Sequence, residues 1–214
     1  MSSGQGIEPS SGKPEALAPL PRGRHFLPAE EVERHQRERI LNAVARGMAE
    51  RGYAALTVGW IITEARVSRT TFYAQFANKK EAVLGAHNEI FDRFIVRIEA
   101  VCAREREWAM KLRRGLEETV EFAVAEPAMA LLLASQAEVA DRAVGKAMLA
   151  TRRQLADLLR RGRSYPGAIP LPEIAEEALV GAISTVLSRA VVEGDLDDAG
   201  ELSSQLVAFA LVFY

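Results

Sequence analysis

The pattern of apolar and polar positions is helical from Pro28 onward. Ile40, Leu41, Val44, Ala45 and Met48 recur at intervals that place them on one helix face, with Arg34, Arg37 and Arg39 toward the N-terminal half. Gly52 supplies a stop, because glycine accepts the left-handed conformation that ends many helices. Thr57 then predicts the N-cap of a short helix over Val58 to Ala65. Ser68 predicts the N-cap of another over Arg69 to Phe76, and Asn78 caps a fourth that runs past Phe94. Only Ala65-Arg66-Val67-Ser68 separates the second and third apolar segments.

The same period continues. Leu112, Leu116, Val120 and Val124 form one face, broadened by Phe122 and Ala123. Pro127 suits a first helical turn. A long helix follows over Arg142 to Arg161, and three prolines mark a loop before two last helical segments. No alternating strand pattern and no internal repeat occurs. The reading is an all-α chain of about nine helices. It divides into a flexible Ser-, Gly- and Pro-rich tail at 1–28, a three-helix unit at 29–78 and a helical body at 79–214.

Composition narrows the class. Of 214 residues, 49% are hydrophobic and 26% charged, as in a globular protein with a sizeable core. The longest apolar runs are too short to span a bilayer, and the N-terminus lacks the apolar core of a signal peptide. The single Cys102 excludes an internal disulfide, and no cysteine–histidine spacing points to zinc. A cytoplasmic protein without membrane contact is expected. The net charge of −2 conceals an asymmetry: residues 1–80 balance at +4 and residues 81–214 at −6. A basic front on an acidic body fits one end meeting a polyanion. Arg22 and Arg24 close the tail, either as solvated charges or as a basic arm for DNA.

Two short helices joined by a tight turn form a helix-turn-helix, whose second helix presents its N-terminal residues to base edges. Phe72 and Phe76 share one face and can pack with Ile61, Ala65 and Val67. That leaves Arg69, Thr70, Thr71, Tyr73 and Gln75 outside. Arg69 suits a guanine edge, threonine a base or a thymine methyl, and Gln75 an adenine. Tyr73, Lys79 and the helix start at Thr57 suit phosphates. An ordinary helical hairpin with a solvated face fits the pattern equally.

The segments RILNAVARGMAERGYAALTV and IITEARVSRTTFYAQFANKKEAVL resemble the N-terminal domain of the TetR family of bacterial transcriptional regulators. Gly52-Tyr53, Thr57-Val58, Ala65, Val67-Ser68, Phe72-Tyr73, Phe76 and Lys79 carry the resemblance. The chain departs from that pattern at Arg66, where glycine is usual, at Ile62, where alanine is usual, and at Gly59 and Trp60, where charged or polar residues are common. The resemblance implies a homodimer on a roughly palindromic double-stranded DNA operator, usually a repressor released by a small-molecule effector. It implies DNA contact by Thr57, Ser68, Arg69, Thr71, Tyr73 and Lys79, to which the face reading adds Thr70. It also makes the body a ligand-binding and dimerisation domain. The last two helical segments, rich in small residues and then apolar all round, fit a four-helix dimer interface by the same resemblance.

The rival class is an enzyme or a helical binding module that keeps the fold without DNA binding. His25, His35 and His87 are scattered, and no nucleophile elbow, phosphate-binding loop or dinucleotide fingerprint occurs. No catalytic, metal or cofactor residue is expected. Glu117–Glu118 and Glu176–Glu177 read as solvated helix faces. Candidate ligand contacts are Phe91, Trp108, Phe122, Met129, Gln136 and Met148, each of which also fits an ordinary core position. The absence of a cationic cluster in the sequence favours a neutral apolar ligand.

Overall fold

A computed structural model of the chain describes residues 28–134, 141–166 and 169–214. The expected tail, with Arg22 and Arg24, and the candidate Gln136 lie outside the described residues. Among the described residues there are nine α-helices, one 3₁₀ turn and no strand. They are α1 (Ala29–Ala55), α2 (Val58–Ala65), α3 (Arg69–Gln75), α4 (Lys79–Cys102), α5 (Trp108–Ala125), α6 (Pro127–Ala134), α7 (Arg142–Arg160), α8 (Ala175–Glu193) and α9 (Ala199–Leu211). Among them, no helix is long and apolar enough to cross a membrane.

The helix starts follow from their caps. The hydroxyls of Thr57 and Ser68 accept from Trp60 N and Thr71 N, and the Asn78 side chain accepts from Glu81 N. Asp141 and Asp198 cap α7 and α9 in the same way. Each cap satisfies a donor that the helix itself leaves unpaired. At Gly52 the outcome differs from the expectation. Its φ of 68° kinks α1 there, and one further turn continues to Ala55.

Two apolar cores result. The first joins Ile40, Val44, Ile61 and Phe72 of the N-terminal helices to Ile90 and Phe94 of α4, then to Leu132 of α6 and Val144 of α7. It therefore runs without a break across residues 78 and 79. The second joins Leu112, Leu116 and Val120 of α5 to Leu179, Ile183 and Leu187 of α8 and Leu206 of α9. Helix α4 packs on α1 at one end and on α5 along its body.

Glu176 corrects the expectation of a solvated acidic pair. It is 1% exposed, and its oxygens accept from Arg163 Nε at 2.6 Å and Nη2 at 2.7 Å. A buried carboxylate requires such a partner. Glu118 accepts from Arg97 Nε at 2.5 Å, and Glu117 from Arg114 Nη1 at 2.9 Å.

Candidate functional site

The turn between α2 and α3 is held from behind. Arg66 adopts the left-handed conformation, with φ 52° and ψ 44°, as the C-cap of α2. Arg39 is buried, and its guanidinium donates to the Ala65 carbonyl at 2.8 and 2.5 Å and to that of Arg66. A side chain from α1 thus takes up carbonyls left unpaired at the end of α2. Trp60, at a position usually polar in the resemblance, lies against α1. A Cβ on Gly47 would stand 2.5 Å from the indole, so the bare glycine makes room for it. Arg51 stacks over the other side of the Trp60 ring at 5.1 Å.

With the turn fixed, α3 divides into two faces. Phe72 is fully buried, and Phe76 stands 5.9 Å from it. On the outside, Thr57, Ser68, Arg69, Thr70 and Tyr73 are exposed, and Thr71 is half-buried. Tyr73 packs edge-on against Phe72 at 5.4 Å and keeps 52% of its surface. The structure therefore brings six of the seven sequence candidates to one exposed polar surface at the N-termini of α2 and α3. Ser68 Oγ also lies 2.8 Å from Thr71 Oγ1.

Lys79, the seventh, is half-buried. Its Nζ donates to the Tyr53 carbonyl at 2.8 Å and lies 4.3 Å from the centre of the Tyr53 ring. An ammonium carries three donors, so this bond leaves two for an anion. Gln75 Nε2 instead turns back toward α1, 3.5 Å from the Glu33 carbonyl. The α1 arginines are engaged within the fold: Arg37 pairs with Glu89 at 2.9 Å, Arg39 clamps the turn, and Arg34 approaches Glu31 at 3.6 Å.

The body holds a cavity of about 430 Å³, within the range that holds a small organic molecule. Helices α4, α5, α6, α7 and α8 wall it, with the segment at Arg161 and Tyr165. Trp108 and Phe122 line it, as expected. Phe91, Met129 and Met148 instead belong to the first apolar core and are not among its lining residues. Phe94, Ile98, Leu116, Leu159, Ile183 and Leu187 line it without having been expected. Their apolar spacing marked a buried face but gave no signal for which part of that face borders a void. The polar lining gathers near the start of α5. Trp108 and Tyr165 rings stand 5.4 Å apart, Lys111 Nζ lies 6.0 Å from the Tyr165 ring, and Cys102 Sγ–H donates to the Lys111 carbonyl at 3.3 Å. Burial pushes the Cys102 thiol up. No group of three or more potential metal-ligating side chains occurs among the described residues.

Residues 40–86 match the model of the family described as bacterial regulatory proteins, tetR family. No curated protein matches the chain. Solved structures do. A fatty acid degradation regulator FadR from Bacillus halodurans is 20% identical over 81% of this chain and 97% of its own, with a TM-score of 0.71. A transcriptional regulator FadR from Bacillus subtilis, in complex with stearoyl-CoA, is 20% identical over 81% and 96%, with a TM-score of 0.67. A TetR-like transcriptional regulator from Rhodococcus sp. RHA1 is 21% identical over 88% and 100%, with a TM-score of 0.68. At these identities the likeness is one of fold.

Proposed function

The chain belongs, through its N-terminal domain, to the tetR family of bacterial regulatory proteins, and from that premise we propose that it is a ligand-responsive repressor, cytoplasmic and dimeric, that leaves its operator when a small molecule fills the cavity. The observation that carries the DNA half of this reading is the exposed polar surface at Arg69–Tyr73, set on a helix-turn-helix whose turn is clamped by Arg39. Residues 29–78 act as the reading head. Arg69, Thr70 and Thr71 face base edges in the major groove. Thr57, Ser68, Tyr73 and Lys79 hold phosphates on either side, with backbone N–H groups at the helix starts.

Residues 79–214 carry the effector and the partner subunit. Val192 on α8 and Val212 just past α9 are 73% and 75% exposed, and Phe209 is 44% exposed. A second copy of α8 and α9 covering these side chains makes a four-helix interface. The two recognition helices then enter successive major grooves, about 34–36 Å apart. Helix α4 begins beside Lys79 and passes the cavity at Phe94 and Ile98. A ligand that displaces it changes that spacing. For the effector, one solved relative of similar fold holds stearoyl-CoA, and the largely apolar cavity supports a ligand with a hydrocarbon body.

A gel-shift with DNA from beside the protein's own gene, against random DNA of equal length, tests the reading. A preferred, dimer-sized complex that weakens steeply as salt is raised is expected. Equal affinity for both DNAs would overturn the operator reading and leave a helical binding module on the same fold.

A further inference from the structure

The polar end of the cavity holds groups that an apolar ligand would leave unanswered. Trp108 Nε1–H is buried and has no acceptor. A buried donor without a partner is rare in native structures and marks strain, an ordered water or a ligand. Lys111 lies one helical turn further along α5, so the two side chains share a face. The Tyr165 ring ties them together, 5.4 Å from the indole and 6.0 Å from the ammonium. Arg161 borders the same end, beside Gly162, where a Cβ would stand 2.3 Å from the indole. Lys111 and Arg161 have no ion-pair partner among the described residues. Glu99, which also borders the cavity, is exposed and likewise has no ion-pair partner among them. Two cations therefore stand against one carboxylate at this end.

The opposite end is Phe94, Phe122 and Leu116. A pure hydrocarbon would leave the indole donor unpaired and set two cations against an apolar surface. A small anion would leave the apolar wall wet. An amphiphile answers both. We propose that the cavity takes an amphiphile with a hydrocarbon chain and an anionic head. Its chain runs past Phe94 and Phe122. An oxygen of its head accepts from Trp108 Nε1–H beside Lys111, with Arg161 at the rim. This replaces the neutral ligand expected from the sequence, and it rests on the effector reading above. Two sources share the chemistry: a free carboxylate, and an acyl thioester whose carbonyl accepts from the indole while its phosphates meet the cations.

Calorimetric titration of the full chain with dodecanoate, dodecanol and dodecanoyl-coenzyme A, each below its aggregation concentration, tests the proposal and separates the sources. At least one anionic probe should bind roughly tenfold more tightly than dodecanol. Lys111→Met should bring that probe down to the affinity of dodecanol and leave dodecanol unchanged. Glu99→Gln, which removes the competing charge, should tighten the anion. Melting curves of both variants establish that they fold. Equal affinity for dodecanol and both anions overturns the head-group assignment alone, as does an equal loss of all three in Lys111→Met. Failure of all three probes to bind overturns the cavity as an effector site for hydrocarbon chains and leaves the gel-shift result standing.

Discussion

His87 Nε2 lies 2.8 Å from Thr151 Oγ1, in a buried pair that joins α4 to α7. The Thr151 hydroxyl also donates to the Ala147 carbonyl at 3.1 Å. Its one proton is therefore committed, so Nε2 carries the imidazole proton and donates to Thr151. Nδ1 is left buried without a partner. Burial lowers the His87 pKa to about 4.

Acid should loosen this joint. The unfolded imidazole titrates near about 6.5, so the unfolded chain takes up the proton first as pH falls. The stability from neutral His87 is complete above that value. It declines as pH drops toward the folded value of about 4 and then levels off. At about pH 5 the loss from this one group is about 2 kcal/mol relative to neutral pH. Urea unfolding midpoints measured between these pH values should show the decline, and His87→Gln should flatten it. An equal slope in the variant would assign the acid sensitivity to other groups.

Arg66 predicts a gain in stability. A residue with a side chain at φ 52° carries steric strain that glycine does not. Arg39 bonds only backbone carbonyls at the turn, so substitution of Arg66 leaves the clamp intact. Arg66→Gly should stabilise the protein by about 0.5–1 kcal/mol, after the greater entropy of glycine in the unfolded chain is offset. Arg66→Ala, which keeps a Cβ, should not. Comparison of the two urea midpoints decides it, and an equal gain in both would place the cause in the arginine's charge.

The helix-turn-helix was legible in the sequence because its elements are short and locally specified. Thr57, Ser68 and Asn78 cap the helices they were expected to cap. The exposed side of α3 followed from the spacing of Phe72 and Phe76. The fates of the charged residues were not legible, because they depend on distant partners. Arg39 reaches a turn 26 residues away, and Arg163 buries Glu176 from across a loop. The cavity was least legible. Phe91 and Phe94 lie on one helix and are both buried, yet only Phe94 borders the void. Periodicity identifies the buried side of a helix. It does not say whether another side chain fills the space opposite.

Arg69 and Lys79 should fail differently. Arg69 is exposed with no ion-pair partner among the described residues, free to meet a base edge. Arg69→Ala should cost roughly 1–3 kcal/mol at each base it reads and relax preference there, with the melting temperature unchanged. Lys79 bonds the Tyr53 carbonyl as well as facing the proposed phosphate. Lys79→Ala should weaken all DNA sequences alike, reduce the salt slope and also lower stability by about 1 kcal/mol. Binding to operator and to random DNA at several salt concentrations separates the two. The reverse pattern would exchange their roles.

Asp141 predicts where communication between cavity and reading head can be interrupted. It caps α7, accepting from Ala143 N and Val144 N, and pairs with Lys80 in the first turn of α4 at 3.4 Å. Burial and this same carboxylate raise the Tyr53 hydroxyl pKa, which ties in the end of α1. At its other end, α7 borders the cavity through Leu155, Leu158 and Leu159. Helix α7 therefore spans from ligand wall to reading head, as α4 does, and the two meet at Asp141–Lys80. Asn caps helices as well as Asp does, so Asp141→Asn should keep α7 and remove the charge pair. The surface pair itself contributes little to stability, and melting should barely change. Coupling should fall, because a ligand that shifts α7 no longer pulls on α4. Coupling is reciprocal, so it can be read as the ratio of dodecanoate affinities with and without operator DNA. A tenfold ratio corresponds to about 1.4 kcal/mol. In Asp141→Asn that ratio should move toward unity, with affinity in the absence of DNA retained. An unchanged ratio would leave α4 as the sole carrier of the signal.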